Sequence, residues 1–110
     1  MKRTKVLIGV GIGLDKNGRG MSHEAVNAAI HWAREYLLRT YGGFTETVVH
    51  GGWKDEKEQS IEETGLQFTV STASHVLEVH PAIAAAVTIR DLFNQQCVVL
   101  ETSEVNFEFV

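Results

Sequence analysis

The chain has 110 residues, 44% hydrophobic and 22% charged, enough for one core and too few for a deep pocket enclosed by a single subunit. Its formal charge of −4 is unevenly spread: residues 1–57 hold nine Lys/Arg against six Asp/Glu, while residues 58–110 hold Arg90 alone against eight acids. So acidic a half does not neutralise a phosphate backbone, and nucleic acid is not the expected partner. It suits either a solvated face or a cavity for a cationic ligand. The single cysteine, Cys97, excludes a disulfide framework and a cysteine-cluster zinc site. No apolar run reaches the ~18 residues of a membrane span, and no cleavage site follows the basic start. The expectation is a soluble, cytoplasmic protein with no membrane partner.

Lys5 to Leu14 reads as a first strand, rich in Val, Leu and Ile. Its alternating Gly9, Gly11 and Gly13 let another backbone approach closely. Asp15 to Gly20 is a turn-forming loop, and Ser22 is placed to cap a helix with Met21 and Val26 as a hydrophobic staple. Val26, Ala29, Ile30, Ala33, Tyr36 and Leu37 recur at helical spacing until Gly42 and Gly43 stop the helix.

Phe44 to Trp53 reads as a second strand interrupted near Gly51-Gly52, and residues 54–63 as a polar connection long for a hairpin. Leu66, Phe68 and Val70 alternate with polar residues in a half-buried strand. Ser74 to His80 is ambiguous; Pro81 suits a helix start, with Ile83, Val87 and Leu92 or Phe93 as its apolar face. Cys97 to Leu100 reads as a short buried strand, and Val105, Phe107 and Phe109 mark a last one. The order predicts an α+β fold: a ferredoxin-like β-α-β-β-α-β sandwich with an additional C-terminal strand, residues 1–110 forming one domain. With two helices for one sheet face, a second subunit is the natural cover for the other.

Gly9-Val-Gly11 and Gly11-Ile-Gly13 both lack the third glycine of a dinucleotide fingerprint. Gly13 to Gly18 has P-loop spacing, but Arg19 and Gly20 stand where lysine and a hydroxyl are needed. His23 and His31 are about two helical turns apart, and His75 and His80 fit no metal motif, so no metal is expected. Cys97 has the apolar setting of a small buried hydrophobe. What remains is Glu62, Glu63 and Glu101 at strand ends, and Trp53 after two glycines. By pattern alone the glutamates read most simply as solvated or edge-strand charges. Trp53 reads equally as an anchor in a core or interface and as a ligand platform.

The order Gly52-Trp53, Glu62-Glu63, then Gln96-Cys97-Val98-Val99 after a helix resembles the phage S-adenosylmethionine lyases, over roughly residues 44–104. The resemblance implies a PII-like homotrimer of ferredoxin-like subunits, with active sites between subunits. It implies cleavage of S-adenosylmethionine to methylthioadenosine and homoserine lactone by the substrate's own carboxylate, with no cofactor. Glu63 and Glu101 would then be catalytic, while Trp53 and Glu62 would bind substrate; a use against host methyl-dependent defences follows from the family. Two departures stand out: Trp53 replaces an expected tyrosine, and the segment from Glu63 to Cys97 is a few residues longer. A family of small bacterial proteins shares a similar Gly-x-Trp, Glu and Gln-x-Ser-Val pattern. A PII-like module that binds a nucleotide or other small ligand without turnover is therefore the alternative, and an interaction protein of the same fold the third reading.

Overall fold

Val6, Ile8 and Val10 alternate along strand β1 (Lys2–Gly11) and are each at most 4% exposed, so one face of this strand is core from Val6 to Val10. The computed structural model describes residues 1–73 and 79–110, without the side chains of residues 79 and 80. Most of the ambiguous Ser74–His80 segment, His75 and the His80 side chain therefore lie outside the described residues. The remaining elements are α1 (His23–Tyr41), β2 (Thr45–Lys54), β3 (Ser60–Thr72), α2 (Val79–Leu92) and β4 (Val99–Asn106). The sheet has four strands in the order β2-β3-β1-β4, every pairing antiparallel. This is the expected α+β, ferredoxin-like arrangement.

Local signals set the first helix as its sequence predicts. The Ser22 side chain accepts a hydrogen bond from the Ala25 amide, and Gly42, at φ 79°, donates its amide to the Leu38 carbonyl. Between these caps Ala29, Ala33 and Leu37 are buried. They meet Leu66, Phe68 and Val70 of β3 and Ala82, Ala85, Ala86, Ile89 and Phe93 of the second helical segment in one cluster. Phe68 and Phe93, both almost fully buried, stand with ring centroids 6.3 Å apart. Each large side chain taken out of water here contributes about 1.5–3 kcal/mol.

β1 runs from Lys2 to Gly11 rather than from Lys5 to Leu14, and the structure departs from the other expected elements in four places. β2 runs unbroken through Gly51-Gly52, and β3 begins at Ser60, so the connection shrinks to the five residues between Lys54 and Ser60. Glu62 and Glu63 thus belong to a strand rather than a loop. In α2, Ile83 and Val87 are exposed at 45% and 38%, because Ala82, Ala85, Ala86 and Ile89 face the core instead. The two short C-terminal strands are one, β4, whose pairing with β1 runs from Lys2↔Asn106 to Gly9↔Val99. Its middle, Glu101 to Glu104, is polar because the edge of the sheet is open to water. Cys97 lies before that strand and is exposed, not a buried hydrophobe. No helix of the described residues is long and apolar enough to cross a membrane.

Candidate functional site

Strand periodicity decides which residues share a face. Both helices contribute to the core cluster with Val6, Ile8 and Val10, so Leu7, Gly9 and Gly11 belong to the opposite face. The register carries that face across the sheet: Gly11 is opposite Gly65, Gly9 opposite Gln67 and Val99, and Leu7 opposite Glu101. On β2 it continues through Val49, Gly51 and Trp53, with Gly51 opposite Glu63. These residues line an open hollow of about 390 Å³. Its floor is largely glycine, and Trp53, Glu63, Val99 and Glu101 stand around it.

Gly11 is what makes room for Glu63. A Cβ added to Gly11 would overlap Glu63 Oε1 and lie 2.7 Å from Cδ. The carboxylate therefore lies back across the end of β1, over the space a side chain would fill. Trp53 is opposite Ile61, and Glu63 is its diagonal neighbour on the same face, a separation of roughly 7–8 Å between backbones. Trp53 is 51% exposed, a large ring held in water beside an acid.

The structure therefore brings Trp53 and Glu63 together and places Glu101 in the same hollow at a distance. With the Glu63 carboxylate over Gly11 and Glu101 opposite Leu7, they stand four residues apart along β1, on the order of 13 Å. Carboxylates so placed do not share one proton or one metal. Glu62, one residue from Glu63, is turned to the other face, 3.9 Å from His50 Nε2 and solvent-exposed. The pair adjacent in sequence is divided by the pleat. Neither Glu63 nor Glu101 has an ion-pair partner among the described residues. Among those residues no group of three His, Cys, Asp or Glu is placed to hold a metal.

The sequence pattern alone did not single out Gly11, Gly51 and Gly65 as the floor. The signal was present in the alternation of Gly9 and Gly11, which pointed to close approach without saying what approaches.

No protein-family model matches the sequence. No curated protein matches it either. Solved structures do. A phage S-adenosylmethionine lyase in complex with S-methyl-5'-thioadenosine superposes with a TM-score of 0.61 at 16% identity, covering 93% of this chain and 81% of the other. The apo state of a phage S-adenosylmethionine lyase gives a TM-score of 0.57 at 17% identity, covering 92% and 79%. GlnK of B. subtilis in complex with ATP gives 0.61 at 13% identity, covering 94% and 82%. The fold of this chain is thus the PII-like ferredoxin arrangement that a phage lyase and a nucleotide-binding GlnK have in common.

Proposed function

We propose that this protein is an S-adenosylmethionine lyase that acts at a site between subunits of a homotrimer. The observation that carries the reading is the Glu63 carboxylate, without an ion-pair partner among the described residues and laid over Gly11, diagonal to an exposed Trp53 in a glycine-floored hollow. An aromatic face beside an anion on a flat floor suits a sulfonium carrying a planar base. The order of Trp53, Glu63 and the Gln96–Val99 stretch, and a fold in common with a phage lyase, support the same reading.

The chemistry asks little of the protein. The substrate carboxylate attacks its own Cγ, the Cγ–S bond breaks, and its electron pair leaves on sulfur as neutral methylthioadenosine. Homoserine lactone remains with its ammonium intact, so no proton has to move and no base, metal or covalent nucleophile takes part. The protein has to fold the methionine tail so that carboxylate and Cγ meet; orientation of this kind is worth up to about 7–11 kcal/mol in intramolecular systems. Glu63 holds the cationic end, and Trp53 faces the sulfonium or stacks on adenine, a contact worth about 0.5–2 kcal/mol. Glu101, at the far end of the hollow, is a second anchor rather than a partner of Glu63. Glu62, on the other face, is left outside the site. A neighbouring subunit over the open face would exclude water and keep the attacking carboxylate reactive.

Incubating the protein with S-adenosylmethionine and following methylthioadenosine by chromatography tests this directly. Turnover in the wild type that is abolished in Glu63→Gln is the expected result. Homoserine released without passing through lactone would overturn the intramolecular route. Binding without any product would instead favour a PII-like ligand-binding module, the reading that the GlnK-like fold supports.

A further inference from the structure

We propose that a second hollow, at the opposite end of the same sheet face, binds a small organic anion: a carboxylate or phosphate carried on an apolar or planar body. This hollow, of about 440 Å³, shares no lining residue with the one around Glu63. Arg3 and Lys5 stand in it, two residues apart on β1 and so on one face, both half-buried. Tyr41, Phe44, Phe107 and Phe109 supply aromatic walls.

Arg3 is held in place before any ligand arrives. Its Nε donates to Ser71 Oγ and its Nη2 to the Ser71 carbonyl, both at 3.1 Å, and the guanidinium lies 5.1 Å from the Phe107 ring centroid. Among the described residues these contacts leave part of the fork without an acceptor, since guanidinium carries five N–H donors. No carboxylate pairs with Arg3 or Lys5 among the described residues, although Lys2 nearby takes Glu104 at 3.2 Å. Nor does any acidic side chain among the described residues line the hollow. Two half-buried cations side by side repel, and an anion between them reverses the sign of that interaction. Phe109, 91% exposed and edge-on to Phe107 at 5.0 Å, leaves a large ring in water at the rim. A purely structural role for Arg3 accounts for Ser71 and Phe107 but not for Lys5, Phe109 or the hollow itself. The ligand class follows: a charged head for the Arg3–Lys5 pair and an apolar body for the rings.

Titrating the full chain with phenyl phosphate, benzoate and inorganic phosphate, followed by NMR, tests the site. Phenyl phosphate or benzoate should shift resonances of Ser71, Phe107 and Phe109. The better of the two, which identifies the head group, should bind roughly tenfold tighter than inorganic phosphate, because only it buries a ring. Lys5→Gln should weaken that binding about fivefold or more, while Lys5→Arg, which keeps the charge, should retain it. Equal binding of inorganic phosphate, unchanged binding in a folded Lys5→Gln, or no shifts at millimolar concentration overturns the proposal. None of these readouts depends on turnover of S-adenosylmethionine, so the two sites stand or fall separately.

Discussion

At Gly11 a single methyl group decides the geometry of the proposed site. An added Cβ meets only the far end of the Glu63 side chain, which is free to swing away. Gly11→Ala should therefore leave the melting temperature nearly unchanged while methylthioadenosine production falls toward that of Glu63→Gln. Gly65 is the contrasting case: its added Cβ would lie 2.8 Å from the Val10 carbonyl oxygen, which is backbone and cannot step aside. Gly65→Ala should cost about 1–3 kcal/mol in chemical denaturation, as overpacking does. Tyr41 gives a prediction in pH. Burial first, and then the charge of neighbouring Tyr36, raise its pKa above 10.0. The folded state thus holds the phenolic proton more tightly than the unfolded chain. Its contribution to stability is complete below about pH 10 and is lost as pH climbs through the folded pKa. Denaturant melts between about pH 8 and 11 should show that loss, and Tyr41→Phe should flatten it. At this scale the sequence revealed Trp53 and Glu63 as candidates, but assigning Glu62 a face required the register. One residue of strand turns a side chain through the sheet, and no composition rule says where a polar strand begins.

Among the elements, the β2–β3 hairpin extends beyond the rest of the sheet. β1 ends at Gly11, opposite Gly65, so the ribbon from His50 to Thr64 continues with little beside it. Water reaches both faces there, which is why Glu62, Glu63 and Thr64 show no hydrophobic alternation and read as a loop. The helix α1 was legible because its caps and its buried stripe agree; the ribbon was not, because it has no core side. Its tip is closed by Asp55, whose Oδ1 accepts from the Lys57 and Gln59 amides at 2.9 Å. Glu58 completes that turn at φ 61°, a left-handed conformation that disfavours any side chain. Its ion pair with Lys54, at 3.8 Å and exposed, offsets little. Glu58→Gly should therefore stabilise the protein by about 0.5 kcal/mol, relief of the left-handed strain outweighing the added unfolded-state entropy. A rise in the denaturation midpoint checks it. On the helix side, Arg34 of α1 grips Glu46 of β2 through Nε and Nη2 at 2.8 and 2.7 Å. The hydrogen bonds to Glu46 raise the guanidinium pKa still further. A double-mutant cycle on this two-pronged pair should return a coupling of about 1 kcal/mol, the upper end for partly exposed pairs.

The whole molecule is more extended than its length requires. Its radius of gyration is 14.9 Å, with extents of 44 × 31 × 28 Å, where a compact domain of this length has about 13 Å. It exposes 7610 Å², against roughly 6,000 Å² expected of a compact chain of this mass. Part of the excess is the projecting ribbon. Part is the helix-free sheet face, where Leu7, Val49, Val99 and Trp53 share one open hollow. Covering the Glu63 end of that face with another copy would bury apolar area and close the proposed site in one step while leaving the Arg3–Lys5 end open, which is why the oligomer and the activity are expected together. Light scattering at micromolar concentration should therefore give about 37 kDa, three chains of 12.2 kDa each. Val99, 56% exposed and beside Gly9, tests the face itself, since its Cβ is 3.5 Å from where a Gly9 side chain would begin. Val99→Lys should leave the monomer folded, because that side chain is more than half exposed on the helix-free face, yet lower the mass toward 12.2 kDa. Turnover should fall with the mass and return as protein concentration rises. A wild type that is monomeric at those concentrations, or a monomeric Val99→Lys with full activity, would detach the site from the subunit boundary.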